Sequence, residues 1–227
     1  MTTRAASSAA PAQPHLPPPG LRARGVATPE IPPTFAWVNT MWIKSFRLRS
    51  LFLTRFSRPA VYRPIYQAIR RDGLRRIVEL GVASGDLALR MIEMAAGKDS
   101  AENVVYTGVD LFEMRAPQTG EGLSLKLAHR KLVTSGAKIR LLPGDAFSAL
   151  SRAANMLGLA DLIVINNDQD RAALEKSWYY IERLLHDRTR VFLQDAALAG
   201  ADSPYRDVAH DSVRQWAAAV APRRRAA

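Results

Sequence analysis

Short apolar runs alternate with longer amphipathic stretches from about residue 60 onward. The apolar runs are rich in β-branched side chains, which is typical of strands buried on both faces. The stretches between them repeat an apolar side chain every three or four positions, as amphipathic helices do. The pattern predicts strands at 76–80, 104–110, 138–142, 161–165 and 190–194, and helices at 61–71, 85–96, 123–136, 146–157, 171–186 and 211–220.

Strands that are separated by helices of this length indicate a parallel sheet. The sequence therefore predicts an α/β fold, with a Rossmann-like, doubly wound and mainly parallel sheet and helices on both faces. In such sheets, ligands bind in the crevice at the carboxyl ends of the strands, next to the point where the strand order reverses.

We place this domain at residues 59–222 and expect a short basic tail at 223–227. Residues 1–33 contain eight prolines and few large apolar side chains. A segment of this composition cannot bury enough apolar surface to offset the entropy lost on ordering. The sequence therefore predicts a disordered Pro/Ala-rich tail at the start of the chain.

Residues 34–58 have the pattern of a basic amphipathic helix. Phe35 and Trp42 fall on one side of the helical wheel, and Lys44 and Arg47 fall on the other. Such a helix can make a peripheral contact with an anionic membrane or with a partner. The alternative, which we favour, is that it covers the domain's own core with its charges in solvent. Both interpretations stay open.

The formal net charge of the 227-residue chain is +11. The excess is concentrated between Thr34 and Arg76, where ten Lys or Arg residues accompany a single acid, Asp72. The positive charge therefore belongs mainly to the segment before the sheet and does not mark the fold as a nucleic-acid binder. The chain contains no cysteine, which excludes disulfides and thiolate metal sites and fits a cytoplasmic protein.

Every predicted strand ends at a polar residue or a glycine turn. In chain order these ends are Glu79 with the turn from Gly81 to Gly85, Asp110, Asp145, Asn166 with Asp168, and Asp195. Because the carboxyl ends of parallel strands meet at one edge of the sheet, these side chains predict a binding crevice.

The first turn distinguishes two kinds of cofactor. Its pattern is E-x-G-x-x-x-G, whereas a dinucleotide site has G-x-G-x-x-G. Ala83 takes the place of the second glycine, and Asp86 stands where the next helix begins. A carboxylate at a helix N-terminus repels a diphosphate. The turn therefore favours a cofactor without phosphates over NAD.

Five stretches together resemble the ordered motifs of class I S-adenosylmethionine-dependent methyltransferases. They are VELGVASGD, GVDLFE, LLPGDAF, DLIVINNDQ and VFLQDA. The likeness covers about residues 60–215 and is closest to the small O-methyltransferase-like branch, which includes sugar-modifying enzymes of antibiotic pathways. The resemblance implies an enzyme that uses S-adenosyl-L-methionine to methylate an oxygen of a small-molecule acceptor.

The resemblance also assigns positions to this cofactor. They are Glu79, Gly81, Val82, Ala83, Ser84, Gly85, Asp110, Leu111, Asp145, Ala146 and Asn166. The glycine turn would pass close to the methionine portion, and Asp110 would accept both ribose hydroxyls. Asp145 would meet the adenine amino group, and Leu111 and Ala146 would contact the purine.

Catalysis requires alignment of the acceptor and removal of its proton. Members of this branch use a carboxylate, a histidine, or a divalent metal held by acids at the fourth and fifth strand ends. Their motif there contains Asp and His where this chain has Asn166 and Gln169. Asp168 and Asp195 remain as candidates, either as a base or as ligands of Mg²⁺, with helix capping or a solvated strand end as the alternative. We assign no metal ligand from the sequence.

Family members continue past the last helix into an antiparallel hairpin that completes a seven-stranded sheet. This chain ends soon after Val220. We therefore expect a sheet without that hairpin. Its edge is then either shortened or covered by the helix at 34–58 or by a second subunit, so a homo-oligomer is an open alternative.

Two other functions stay open. An inactive methyltransferase fold could serve as a binding or interaction protein, and Asn166 and Gln169 favour this alternative. A nucleic-acid methyltransferase would stack bases on aromatic side chains such as Trp42. The amino-methylating branch, however, carries an Asn/Asp-Pro-Pro-aromatic motif after the fourth strand, and residues 166–169 do not match it. We therefore expect a small-molecule acceptor rather than nucleic acid.

Overall fold

The computed structural model describes residues 60–97, 100–115, 122–198 and 203–221. The predicted tail at 1–33, helix at 34–58 and basic end at 223–227 lie outside the described residues. The strands are β1 (Arg76–Leu80), β2 (Val105–Asp110), β3 (Lys138–Pro143), β4 (Leu162–Ile165), β5 (Arg190–Gln194) and β6 (Tyr205–Asp207). The α-helices in these ranges are α1 (Arg63–Asp72), α2 (Asp86–Ala96), α3 (Leu125–Val133), α4 (Ala146–Leu157), α5 (Arg171–Glu182) and α6 (His210–Val220).

The strands form one mixed sheet in the order β3-β2-β1-β4-β5-β6. All neighbours are parallel except β5 and β6, which are antiparallel. The chain runs outward from β1 through β2 to β3, then returns to place β4 on the other side of β1. The strand order therefore reverses between β1 and β4, as the predicted doubly wound fold requires.

Alternate side chains of the central strands pack into two different core layers. Ile77 and Leu162 belong to a layer with α1, α2 and α3. Val78 and Ile163, the next residue in each strand, belong to a layer with α4, α5 and α6. This explains the continuous apolar runs, because both faces of these strands are buried. The predicted fold class is confirmed.

The sixth strand differs from the prediction. β6 pairs with β5 before the last helix, with Tyr205 opposite Gln194 and Asp207 opposite Phe192. It is three residues long, and Arg206 and Asp207 are exposed. A segment this short carries no readable alternation. The edge of β5 is therefore covered by a strand of the same domain, where we expected a shortened edge, a helix or a second subunit.

Two helices are shorter than predicted by four residues or more. The side chain of Ser124 accepts the Leu127 N–H and starts α3 at Leu125, two residues later than the pattern suggests. The helix predicted to reach residue 186 ends at Glu182, and the Thr189 hydroxyl accepts the His186 N–H in the turn that follows. Among the described residues, no helix has the length and apolar content to cross a membrane.

Candidate functional site

A cavity of about 530 Å³ lies at the carboxyl ends of β1 and β4, where the strand order reverses. Seven predicted site residues line it: Glu79, the four turn residues from Gly81 to Ser84, Asn166 and Asp168. A second groove of about 520 Å³ lies between Asp72, Arg190 and Asp207, and it contains none of the predicted site residues. Its Arg190 is ion-paired with both of these acids. The first cavity is therefore the candidate site.

The turn between β1 and α2 requires glycine at its ends. Gly81 has φ +92° and Gly85 has φ +72°, both in the region that disfavours side chains. A Cβ on Gly81 would lie 2.0 Å from Oδ1 of Asp168 and would clash with it. The backbone is therefore bare at Gly81, and the carboxylate of Asp168 lies directly over it.

Asp110 holds this turn from the end of β2. Its Oδ2 accepts the N–H groups of Val82 at 2.7 Å and Ala83 at 2.9 Å, and its Oδ1 accepts the N–H of Phe112 at 2.9 Å. Ala83 and Phe112 both have φ +48°, which is costly for a residue with a side chain. Two strained residues thus aim their N–H groups at one carboxylate, as expected of a functional site.

Arg115 covers the same carboxylate. Its Nε donates to Oδ1 of Asp110 at 2.9 Å, and one terminal nitrogen donates to Oδ2 at 2.6 Å. That nitrogen also donates to Oδ2 of Asp168 at 2.6 Å. Burial acts to raise the pKa of Asp110, but Arg115 and the backbone N–H groups outweigh it and hold the pKa below its ordinary value. Arg115 therefore joins the ends of β2 and β4.

Glu79 lies fully buried beneath the turn. It accepts the Tyr106 hydroxyl at 2.5 Å and the Asn166 amide at 3.0 Å. Asn166 also donates to the carbonyl of Gly81 at 2.5 Å, and its own Oδ1 accepts the hydroxyl of Tyr205. Burial raises the pKa of Glu79 to about 8, although its two hydrogen bonds act in the opposite direction. Near neutral pH this side chain therefore holds its proton.

The N-terminus of α2 carries an ionised acid. Asp86 accepts hydrogen bonds from Lys131 at 2.7 Å and from the Ser84 hydroxyl at 2.8 Å. These two bonds lower the pKa of Asp86. The helix end that would hold a pyrophosphate in a dinucleotide site is therefore already occupied by a negative charge.

The remaining predicted residues, including Gly85 and Asp110, are not among the residues that line this cavity. Asp145 caps α4 by accepting the N–H of Ser148 at 2.9 Å, and Ala146 is fully buried in the second core layer. Leu111 is half-buried and leads into the short turn of helix at Phe112–Met114. Asp195 accepts the N–H of Ala197 and is ion-paired with Arg206 at 3.3 Å. In this structure Asp145 is therefore a helix cap, and Asp195 is in an ion pair outside the residues that line the cavity.

Within the described residues, no three His, Asp or Glu side chains cluster closely enough to hold a metal ion. The carboxylate of Asp168 is engaged by Arg115 on one oxygen and by the side-chain amide of Gln169, at 2.9 Å, on the other. Asn166 stands where the family motif has an acid. Its side-chain amide donates to Glu79 and to the carbonyl of Gly81. Among the described residues, the donor set at this cavity therefore does not fit a Mg²⁺ site.

Among the residues of this site that sequence reasoning missed, four have aromatic or guanidinium side chains. Tyr62, Arg90 and Tyr205 line the cavity, and Arg115 covers Asp110. Tyr62 and Arg90 come from elements whose pattern indicates only core packing, and Tyr205 comes from the unpredicted β6. Arg115 follows Asp110 by five residues, but its sequence context does not show that the chain turns back there.

No protein-family model and no curated protein matches the chain. Solved structures do match. The O-methyltransferase from Bacillus cereus in complex with SAH is 13% identical, with 84% of this chain and 81% of that chain covered and a TM-score of 0.48. The O-methyltransferase TomG from Streptomyces achromogenes, in complex with SAM, is 16% identical, with 78% of this chain and 74% of that chain covered and a TM-score of 0.47.

The MycE methyltransferase from the mycinamycin biosynthetic pathway, in complex with Mg and SAH, also matches. It is 18% identical, with 70% of this chain covered and a TM-score of 0.40. The match spans only 40% of the MycE chain. At these identities, roles of individual residues do not transfer from these structures to this chain.

Proposed function

We propose that this protein is a class I S-adenosylmethionine-dependent methyltransferase that methylates an oxygen of a small molecule. The observation that supports this most is the bare turn at Gly81, at the point where the strand order reverses. The turn opens onto a cavity and has a carboxylate at the end of each flanking strand, from Asp110 and Asp168. The volume of this cavity, about 530 Å³, is in the range of small-molecule sites, about 300–1,000 Å³.

The residues of the turn fit a nucleoside cofactor that carries an amino acid and no phosphate. With Asp168 and Arg115 moved aside, Gly81 would leave the backbone accessible to the amino-acid portion, and Asp110 would accept ribose hydroxyls. The ionised Asp86 disfavours a phosphate at the start of α2. When bound, S-adenosylmethionine supplies a methyl group activated by its sulfonium sulfur. The protein must then align the acceptor and take up its proton.

We assign the proton acceptor to Asp168 rather than Asp195. Asp168 lines the cavity, and 26% of its side chain is exposed. Asp195 is not among the described residues that line the cavity. A base must lie within hydrogen-bond reach of the proton that it removes. We assign no step to Mg²⁺, because the donor set described above does not fit it.

Calorimetric titration with S-adenosylhomocysteine tests the cofactor site. We expect micromolar binding by the wild-type protein and at least a tenfold weaker affinity for Asp110→Asn, which keeps an acceptor oxygen but loses the charge. Glu175→Gln is the matched control, because this acid is ion-paired with Arg171 on the exposed face of α5. Failure of the folded wild-type protein to bind the cofactor would refute the proposal and leave an interaction protein as the better alternative.

A further inference from the structure

The acceptor capacity of Asp110 is already used within the protein. A carboxylate offers about four lone-pair sites. Asp110 accepts three hydrogen bonds from backbone N–H groups and two more from Arg115. The exposed fractions of the two side chains are 2% for Asp110 and 10% for Arg115. No acceptor site is therefore left for ribose hydroxyls while Arg115 stays in place.

The space above the turn is also taken. Oδ1 of Asp168 lies 2.0 Å from the position of a Cβ on Gly81, so the carboxylate fills the gap that the missing side chain leaves. Its other oxygen is held by Arg115 at 2.6 Å. The pair Arg115 and Asp168, called the plug below, thus covers both places that the cofactor needs.

Arg115 makes the same kind of hydrogen bonds to Asp110 that the cofactor would make. The guanidinium of Arg115 is a cation with several N–H donors, and it binds Asp110 in a bidentate geometry. Ribose hydroxyls would donate to the same oxygens, and a ligand ammonium group would supply a comparable positive charge. Ligand and Arg115 therefore compete for one set of acceptors.

We propose that Arg115 and Asp168 form an internal plug in the cofactor site, which S-adenosylmethionine must displace in order to bind. This inference rests on the proposed function. The plugged form lowers the apparent affinity, because only the fraction of molecules with an open site can bind. Removal of the plug therefore strengthens cofactor binding, although it removes an ion pair from the free protein.

The test compares Arg115→Gln and Asp168→Ala with the wild-type protein. Affinity for S-adenosylhomocysteine is measured by calorimetric titration, and thermal unfolding is measured with and without this ligand. We expect binding about tenfold tighter in Arg115→Gln and tighter in Asp168→Ala, with a larger ligand-induced rise in unfolding temperature. Glu175→Gln, which breaks an exposed ion pair on α5, should leave the affinity unchanged.

The outcomes separate this inference from the proposed function. Binding to Arg115→Gln that is equal to or weaker than wild-type binding would overturn the plug and leave the methyltransferase proposal standing. Binding by the variant alone would support a plug that keeps the free protein closed. If neither the wild-type protein nor any folded variant binds, both proposals fail. Should Arg115→Gln not fold, the result for Asp168→Ala decides in the same way.

Discussion

The charge of the Glu79 carboxyl group changes within the pH range in which the protein can be studied, because its pKa is about 8. The group is fully buried, its pKa is raised to about 8 by burial, and it accepts the hydroxyl of Tyr106. In an unfolded chain the same group releases its proton near its ordinary pKa of 4.5. Between these two values, the folded protein binds one more proton than the unfolded chain does.

The free energy of unfolding should therefore decline as the pH rises from about 5 to about 8. The contribution of Glu79 is fully present below pH 4.5 and is lost as the pH passes through about 8. The slope is at most about 1.4 kcal/mol per pH unit. Glu79→Gln keeps an acceptor for Tyr106 but cannot ionise, and it should flatten the curve. Urea unfolding at pH 5, 6.5 and 8 measures this, and parallel curves for the two proteins would contradict it.

A side chain at Gly81 is disfavoured for two separate reasons. Its φ of +92° is strained for any other residue, and a Cβ would collide with Asp168. Gly73, which caps α1, is a matched control because its φ is +65° and nothing lies within 4 Å of its Cβ position. We expect Gly73→Ala to cost about 1 kcal/mol from backbone strain alone and to leave cofactor binding intact.

Gly81→Ala should lower the free energy of unfolding by more than Gly73→Ala does and should abolish binding of S-adenosylhomocysteine. Thermal unfolding and calorimetry on both variants test the difference. Equal binding by the two variants would show that the cofactor does not approach the turn.

At the scale of elements, the short edge strand β6 supports the site from outside. The Tyr205 hydroxyl donates to Asn166, whose amide holds the carbonyl of Gly81 and one oxygen of Glu79. β6 thus extends a hydrogen-bond chain from the sheet edge to the glycine turn. Removal of the hydroxyl leaves one acceptor of Asn166 without this donor.

Tyr205→Phe should lower the free energy of unfolding by about 1 kcal/mol, the usual net value of one hydrogen bond. It should also weaken S-adenosylhomocysteine binding several-fold, because Asn166 positions the turn. Tyr180→Phe is the control, since the Tyr180 ring packs against the second core layer and the exposed Phe147, away from the cavity residues. Chemical unfolding and calorimetry provide the two readouts. An unchanged affinity of Tyr205→Phe for S-adenosylhomocysteine would show that β6 covers the sheet edge without supporting the site.

The elements differ in how far the sequence predicts them. The central strands β1 and β4 are predictable because both of their faces are buried in the two core layers, which leaves mainly apolar runs. β6 is not, because its three residues contain one buried side chain and two exposed ones. Pairing with β5, rather than local pattern, determines that strand.

The same contrast holds for the site. Glu79 and Asp168 are predictable because parallel strands bring their carboxyl ends to one edge of the sheet. Asp195 follows the same rule and yet is engaged by Arg206. Arg115 is unpredictable, because its place depends on the return of the chain after Phe112, a residue with positive φ. Topology locates acids at an edge, but side-chain packing decides which of them face the cavity.

At the scale of the whole molecule, the doubly wound topology makes the crevice. The reversal of strand order leaves the space above β1 and β4 uncovered by a crossover helix. The two core layers then hold the glycine turn and the ends of β2 and β4 in fixed positions around this space. The cavity is thus a consequence of strand order, and its chemistry is set by a few side chains at the strand ends.

A crystal structure of the full-length protein grown with saturating S-adenosylhomocysteine tests the cofactor site and its plug most directly. We expect the ligand over the turn at Gly81, with its ribose hydroxyls within hydrogen-bond distance of Asp110 and with Arg115 moved away from that carboxylate. A structure in which Arg115 still binds Asp110 and Asp168, with the ligand absent or bound elsewhere, would contradict both the cofactor site and its plug.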